Sequence, residues 1–151
     1  MVSTVPAENG KAEPPSSVLY VCGMNAIRSP MAEYLTRHIF GSSLYARSAG
    51  ARTGDADPFA EAVMAELGIA IGDHIPTTLD DLADSYFDLV VTLSPEAHHR
   101  ALELTRAQSV DVEYWPILDP SVVAGNREQV LAAYRQVRDV LQRKIRSRFV
   151  R

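Results

Sequence analysis

Short apolar runs alternate with segments of helical period along this chain, and that alternation restricts its fold more than any other feature. Strands are predicted at Val18–Val21, Leu44–Ser48, Phe87–Leu93 and Val110–Trp115, and a helical segment follows each of them. When a helix connects two consecutive strands of one sheet, the second strand lies parallel to the first. We therefore expect an α/β fold, a three-layer sandwich in which a four-stranded, twisted parallel sheet carries helices on both faces.

Residues with capping or helix-ending character bound the helices. Ser29 suits the N-cap of the first helix, and Gly41 ends it. The second helix is predicted at Phe59–Leu67, Ser94 opens the third, and the fourth runs from Arg127 to Arg148 with one apolar stripe. Each helix therefore has one face to bury against the sheet.

Length and composition indicate a single domain. With 151 residues, of which 46% are hydrophobic, the chain can bury one core but not two. We place this domain at residues 17–151. Residues 1–16 combine prolines with small and charged side chains and are predicted to form a disordered tail. They contain no apolar stretch of the kind that marks a signal peptide or a membrane span.

Charge and cysteine content exclude several classes of protein. The net charge of −4 leaves no basic excess for binding nucleic acid or a membrane surface, so neither is a predicted partner. A single cysteine excludes an intramolecular disulfide and a thiolate-rich metal site, and it fits the reducing cytoplasm. The four histidines are not spaced as metal ligands, and we predict neither a metal nor another cofactor.

The segment between the first strand and the first helix has the pattern of a phosphate pocket with a nucleophile. A strand, a tight loop and a helix start aim backbone N–H groups and the positive end of the helix dipole at one point. The same field, together with Arg28, favours the thiolate form of Cys22, which can attack phosphorus. The candidate phosphate-binding residues are Gly23, Met24, Asn25, Ala26, Ile27, Arg28 and Ser29.

Several spaced motifs accompany this loop, and together they resemble a known family. Residues 17–150 resemble the low-molecular-weight protein tyrosine phosphatases and their arsenate reductase relatives. The resemblance implies a flavodoxin-like or phosphotyrosine phosphatase I-like sheet with a phosphate-binding P-loop. Besides the loop, the motifs are Ser48-Ala49-Gly50, Asp57-Pro58, Leu67-Gly68-Ile69, Asp88-Leu-Val-Val-Thr and Trp115 with Asp119-Pro120.

The resemblance also implies roles for individual residues. Cys22 becomes a phosphocysteine, Arg28 clamps two phosphoryl oxygens, and Asp119 protonates the leaving oxygen and then activates water. Ser29 donates a hydrogen bond to the Cys22 sulfur, and Asn25 holds the loop through its side-chain amide. From the residues alone, Ser29 is equally an N-cap, and Asn25 and Asp119 are ordinary turn residues.

The loop departs from the family pattern at two positions. The family usually has glycine at the third position and often a second cysteine before the arginine, where this chain has Met24 and Ile27, with glycine moved to Gly23. A positive φ at Met24 costs about 1 kcal/mol or more. Either the loop is rearranged, or Met24 keeps an ordinary conformation and lines the mouth of the pocket.

A further departure concerns the substrate. Family members that act on phosphotyrosine commonly carry aromatic residues after the Asp-Pro pair and in the loop after the second strand. Here those places read Ser121-Val122 and Ala51-Arg52-Thr53. No aromatic wall is predicted, and Arg52 is positioned to contact a second acidic group. A non-aromatic phosphoester or another phosphorylated residue is therefore a candidate substrate.

These inferences predict a protein tyrosine phosphatase-like phosphomonoesterase that acts on a phosphorylated protein or a small phosphoester. Phosphate, arsenate and vanadate are the anions expected in its pocket. One alternative is an arsenate reductase that uses an external small thiol, since a single cysteine cannot form a thioredoxin-coupled relay. Another is a noncatalytic module that binds phosphate or a phosphorylated partner. A cysteine protease is disfavoured, because no histidine stands in the context of a base.

Overall fold

The structure, a computed structural model, describes residues 14–150. Most of the predicted tail, residues 1–13, lies outside the described residues, as does residue 151. Ser16 is described, and its hydroxyl and backbone N–H both donate to Asp88 Oδ2, at 2.7 and 2.8 Å. These two hydrogen bonds lower the pKa of Asp88. The two hydrogen bonds to Asp88 thus hold Ser16 in place, directly before the first strand.

Strands and helices alternate from the first strand to the last helix. The strands are β1 (Ser17–Cys22), β2 (Tyr45–Gly50), β3 (Leu89–Thr92) and β4 (Asp111–Tyr114). The helices are α1 (Arg28–Phe40), α2 (Pro58–Ala65), α3 (Pro95–Thr105) and α4 (Arg127–Arg148). Short 3₁₀ turns lie at Gly41–Ser43, Asp80–Leu82 and Pro120–Val122. The predicted elements are all present, with their ends shifted by a residue or two.

The sheet is parallel throughout, with the strand order β2-β1-β3-β4. The four-stranded parallel sheet predicted from the alternation is therefore confirmed. The chain adds strands first on one side of β1 and then on the other, so the order reverses between β1 and β3. In open parallel sheets a crevice forms at such a point, outside the carboxyl ends of the strands. The loop that begins at Cys22 leaves the sheet there.

Residues of β1 alternate between two apolar cores. Val18, Tyr20 and Cys22 face the larger core, which includes side chains of α1, α2 and α4. Leu19 and Val21 face a smaller core with side chains of α3. Helices thus cover both faces of the sheet, which confirms the three-layer sandwich. No helix within residues 14–150 has the length and apolar character to cross a lipid bilayer.

Side-chain caps begin three of the four helices, and α1 differs. Asp57, Ser94 and Asn126 accept hydrogen bonds from first-turn N–H groups of α2, α3 and α4. The prediction that Ser29 caps α1 is wrong, because the helix begins at Arg28 and its N-cap is Ile27, two residues before Ser29, with no side-chain cap. The Ser29 hydroxyl lies within hydrogen-bond distance of Cys22 instead. The start of α1 is therefore without side-chain acceptors.

Candidate active site

A cleft of about 480 Å³ opens at the carboxyl ends of β1 and β3. It brings together seven of the residues singled out from the sequence, whereas Asn25 and Ser29 are fully buried beside it. Its lining also includes Arg52, Ser94, Pro95, Glu96 and Ser121, and none of the lining residues within 14–150 is aromatic. The seven are Cys22, Gly23, Met24, Ala26, Ile27, Arg28 and Asp119.

Backbone hydrogen bonds hold the loop after β1 with its carbonyls turned toward the segment after β2. The N–H groups of Ala51, Arg52 and Gly54 donate to the carbonyl oxygens of Cys22, Gly23 and Met24, at 3.1, 2.9 and 3.0 Å. Within the described residues, none of the N–H groups from Gly23 to Arg28 donates to a protein acceptor. These free donors, at the start of a helix, are suited to bind an anion.

Asn25 occupies the one strained backbone position of the loop. Its φ is +54°, and among the described residues it is the only non-glycine residue with a positive φ. Asparagine tolerates this region better than most residues. Met24 therefore keeps an ordinary conformation, is 42% exposed and lines the mouth of the cleft. Of the two outcomes expected for Met24, the structure has the second.

The side chain of Asn25 is fully buried and uses both ends of its amide. Its oxygen accepts from the Thr77 N–H at 2.8 Å and from His74 Nε2 at 3.0 Å. Its nitrogen donates to Ser29 Oγ at 2.9 Å. These contacts fix the loop to the segment before β3 and offset part of the cost of the positive φ.

The sulfur of Cys22 lies at the bottom of the cleft with only 2% of the residue exposed. Ser29 Oγ is 2.8 Å from it. Because Asn25 donates to this oxygen, the hydroxyl proton of Ser29 is free to point to the sulfur. The other acceptor that the described residues offer it, the Ala49 carbonyl, is farther away at 3.3 Å. Ser29 can therefore stabilise a thiolate at Cys22.

Arg28 and Asp119 face each other across the cleft. The Arg28 guanidinium donates to the Ile117 carbonyl at 2.9 Å, which holds the side chain between the loop and the segment after β4. Asp119 Oδ1 accepts from the N–H and the hydroxyl of Ser121, at 2.9 and 2.7 Å. Its other oxygen, Oδ2, is 3.9 Å from Arg28. Asp119 thus presents one oxygen to the cleft with its partner oxygen already satisfied.

Gly50, the last residue of β2, lies directly against the loop. A Cβ at this position would be 2.7 Å from the Asn25 nitrogen and 2.8 Å from the Met24 carbonyl carbon. Both contacts are with backbone, which cannot move aside without displacing the loop. The glycine is therefore required by close approach rather than by a turn.

We expect Gly50→Ala to displace the loop, lower the free energy of unfolding by about 1–3 kcal/mol and weaken phosphate binding at least tenfold. Chemical denaturation and calorimetry with inorganic phosphate measure the two effects. Gly72→Ala is the matched control, since its added Cβ meets only Glu61 Oε1 at an ordinary 3.4 Å. Unchanged phosphate affinity in Gly50→Ala would show that the loop does not depend on this contact.

His74 is a site residue that the sequence did not indicate, because it stands alone in a segment without a motif. Burial, and to a lesser extent Arg37 and Arg47, lowers the pKa of this imidazole below its ordinary value. A neutral ring with its proton on Nε2 donates to the Asn25 oxygen and packs edge-on against Tyr34. The neutral form therefore supports the loop.

We expect the protein to lose stability as the pH falls through the range just below the ordinary histidine pKa. There the unfolded chain binds a proton at His74 that the folded protein does not, so the free energy of unfolding decreases with decreasing pH. His74→Gln retains a donor for Asn25 without titrating in this range. Thermal melts between about pH 7 and pH 5 should show a shallower dependence for this variant, and equal slopes would contradict the prediction.

Arg52 reaches the rim of the cleft, where its guanidinium is paired with Glu96 in the first turn of α3. The contact expected between Arg52 and a second acidic group of a substrate stays a prediction, and within the protein the acidic partner of Arg52 is Glu96. The sequence did not reveal Glu96, because an acidic residue in a first helical turn is ordinary. No group of three or more potential ligands is placed to hold a metal ion in the described part of the chain.

This chain is similar in sequence to known proteins. The family described as low molecular weight phosphotyrosine protein phosphatase matches residues 17–149. The arsenate reductase of Shouchella clausii is 32% identical over 131 residues, which cover 86% of this chain and 92% of the relative. The match thus spans nearly the whole of both chains.

Solved structures of phosphatases are also similar to this chain. The tyrosine phosphatase AmsI of Erwinia amylovora superposes with a TM-score of 0.73 and 25% identity, covering 95% of this chain and 99% of that one. The YwlE arginine phosphatase of Bacillus subtilis, in a mutant with a phosphorylated active-site serine, superposes with a TM-score of 0.71. It is 26% identical, over 86% of this chain and 90% of that one.

Proposed function

Because the chain belongs to the low molecular weight phosphotyrosine protein phosphatase family, we propose that it hydrolyses phosphate monoesters through a phosphocysteine on Cys22. One observation carries the proposal. The sulfur of Cys22 lies beneath a loop whose N–H groups have no acceptor among residues 14–150, with Arg28 and Asp119 at its sides. The free donors match a phosphoryl group, and the two side chains match the charges that develop during its transfer.

The first step transfers the phosphoryl group to the enzyme. The Cys22 thiolate attacks phosphorus as the bond to the leaving oxygen breaks, and Asp119 Oδ2 donates its proton to that oxygen. The planar guanidinium of Arg28 donates to two equatorial phosphoryl oxygens. The loop N–H groups stabilise the negative charge that develops on the phosphoryl oxygens in the transition state. A sulfur–phosphorus bond replaces the ester bond, and the alcohol leaves neutral.

The second step returns the enzyme to its starting state. Asp119, now a carboxylate, takes a proton from a water molecule that attacks phosphorus. The sulfur–phosphorus bond breaks, inorganic phosphate forms, and Cys22 leaves as a thiolate. The Ser29 hydroxyl, 2.8 Å from the sulfur, stabilises that thiolate as the leaving group.

The lining of the cleft favours a substrate other than a simple aromatic phosphoester. In the part of the chain that the structure describes, no lining residue is aromatic, and the rim carries charged side chains instead. The similar structures include both a tyrosine phosphatase and an arginine phosphatase, so the fold accommodates different phosphorylated residues. A phosphorylated protein side chain or a small polar phosphoester fits this cleft, as do phosphate, arsenate and vanadate as anions.

A second candidate is arsenate reduction with an external small thiol, favoured by relatives named arsenate reductase. Arsenate would form an ester with Cys22, and an external thiol would then attack the sulfur. Arsenic gains two electrons and leaves as arsenite, while the two sulfurs form a mixed disulfide. The noncatalytic alternative depended on disruption of the loop by Met24, and Met24 keeps an ordinary conformation.

Parallel assays separate these activities. We expect the wild-type protein to hydrolyse 4-nitrophenyl phosphate, with competitive inhibition by vanadate, and to produce arsenite from arsenate and glutathione at most slowly. Fast arsenite production without phosphatase turnover would assign the reductase function. Phosphate binding with neither activity would assign the binding module and end the enzymatic proposal.

The chemistry of Cys22 also bears on the compartment. A thiolate nucleophile works only while reduced, and the chain holds no second cysteine to protect it through a disulfide. We place the protein in the cytoplasm, where small thiols keep cysteine reduced. Active protein recovered from an oxidising compartment of its source cell would contradict this assignment.

A further inference from the structure

Two oppositely charged side chains form one wall of the cleft mouth. Arg52 lies in the segment after β2, and Glu96 lies in the first turn of α3. Nη1 of Arg52 donates to Oε2 of Glu96, and each side chain is about half exposed. The Arg52 backbone N–H also donates to the Gly23 carbonyl at 2.9 Å, which holds the residue against the phosphate loop.

Gly23 leaves the space that this pair occupies. A Cβ at Gly23 would be 3.1 Å from Oε1 of Glu96 and 4.0 Å from Nη2 of Arg52. The φ of Gly23 is not positive, so the turn itself does not require glycine there. The absence of a side chain brings the guanidinium and the carboxylate onto the loop that is to bind the phosphoryl group.

Most of the donors of Arg52 remain unused. A guanidinium has five N–H donors, and within the described residues only Nη1 has a protein acceptor. Nη2, which would be 4.0 Å from a Cβ at Gly23, has none among these residues. Glu96 therefore orients Arg52 without saturating its donors. Arg52 can bind another anion while it stays in contact with Glu96.

The charges of the cleft indicate which ligand would use these donors. Arg28 is the cation at the base of the cleft and pairs with the phosphoryl group. Arg52 is then the remaining cation of the lining, and it lies at the mouth, where the rest of the substrate emerges. If the substrate carried no second anionic group, the unused N–H donors of Arg52 would be bound only by water.

We propose that Arg52 is the specificity-determining residue for a second acidic group on the substrate, and that Glu96 positions it. The substrate class is a phosphomonoester that carries a carboxylate or another anion a few bonds from the reacting phosphate. This inference rests on the proposed function for its catalytic meaning, but the binding it describes does not require turnover.

Binding of unreactive phosphonates tests the inference directly. Phosphonoacetate, 3-phosphonopropionate and 4-phosphonobutyrate are each compared by calorimetry with the matching carboxamide. We expect at least one acid to bind roughly three- to tenfold more tightly than its amide, and Arg52→Gln to remove that preference. Arg106→Gln, at an exposed position after α3, is the matched control and should keep the preference of the wild type.

Turnover provides a second readout. The ratio of kcat/KM for 3- or 4-carboxyphenyl phosphate to that for the carboxamide analogue should exceed one, through a lower KM at similar kcat. Glu96→Gln keeps an oxygen to hold Arg52 but removes the competing charge, so we expect the ratio to rise. In the double variant with Arg52→Gln the ratio should return to about one, because the effect of Glu96 acts through Arg52.

Two results would overturn the inference. One is equal binding of every acid and its amide to the wild type, which would make the pair a structural contact between the two segments. The other is a raised ratio in the double variant, which would assign the effect to the charge of Glu96 alone. Absence of turnover combined with a preference for the acids would reject the proposed hydrolysis while supporting the second anion site.

Phosphotyrosine peptides with Glu or Gln beside the phosphorylated residue show whether the second anion comes from a protein. A preference for the Glu peptide supports the site with a protein source. A preference confined to the small esters supports the site with a small-molecule source.

Discussion

Replacing Cys22 with serine is expected to reduce the turnover of 4-nitrophenyl phosphate by a factor on the order of 10⁴ or more. A serine hydroxyl is not ionised at neutral pH and is a far weaker nucleophile toward phosphorus than a thiolate. The loop that surrounds the residue should persist, because its carbonyls are held by N–H groups of the segment after β2. The defect is therefore expected in kcat and not in the binding of phosphate.

Steady-state kinetics, calorimetry with inorganic phosphate and a thermal melt give the three quantities needed. Cys22→Ser should bind phosphate within a few-fold of the wild type and melt at a similar temperature, since serine can still hydrogen-bond with Ser29. Undiminished activity would end the assignment of Cys22 as the nucleophile. Loss of phosphate binding together with activity would show that the sulfur supports the loop and would leave its chemical role unproven.

The second large effect is expected at Asp119. Asp119→Asn should lower kcat/KM for phenyl phosphate, which reports the first step, by roughly 10²–10⁴, because an amide cannot donate a proton to the leaving oxygen. The loss should be much smaller for 2,4-dinitrophenyl phosphate, whose leaving group departs as an anion without help. The amide oxygen of asparagine can still accept from Ser121, so the segment before α4 should keep its position.

The dependence on the leaving group is what separates chemistry from structure. Asp111→Asn, an exposed carboxylate at the opposite end of β4, is the matched control and should leave both rates unchanged. An equal loss of kcat/KM on both substrates in Asp119→Asn would mean that Asp119 maintains the cleft rather than protonating the leaving oxygen. A common loss of kcat reflects the second step, in which Asp119 activates water for either substrate.

The fold could be predicted almost completely because its signals are local. The apolar run of β3, the Ser94-Pro95 start of α3 and the stripe of α4 each identify an element without reference to distant residues. The family resemblance stated from spaced motifs is confirmed over residues 17–149. Element ends were less accurate, since they depend on hydrogen bonds that the sequence does not display.

The interior of the site was harder to predict, because its contacts join distant segments. His74 and Thr77 contact Asn25 across some fifty residues of sequence, and neither stands in a recognisable pattern. Ser29 was expected as a cap, yet the helix begins at Arg28, and the Ser29 hydroxyl is within hydrogen-bond distance of Cys22. Glu96 fulfils an ordinary helix preference and also meets Arg52, which only the tertiary structure reveals.

The hydrogen bonds from Ala51, Arg52 and Gly54 to the loop carbonyls have a thermodynamic consequence for anion binding. The loop is ordered by the protein and not by its ligand, so its conformational entropy is already lost on folding. An oxyanion then meets donors that are preorganised, and little of its binding energy is diverted to rearrangement. Among tetrahedral oxyanions of similar size, affinity should consequently follow charge and hydration rather than any ability to reshape the loop.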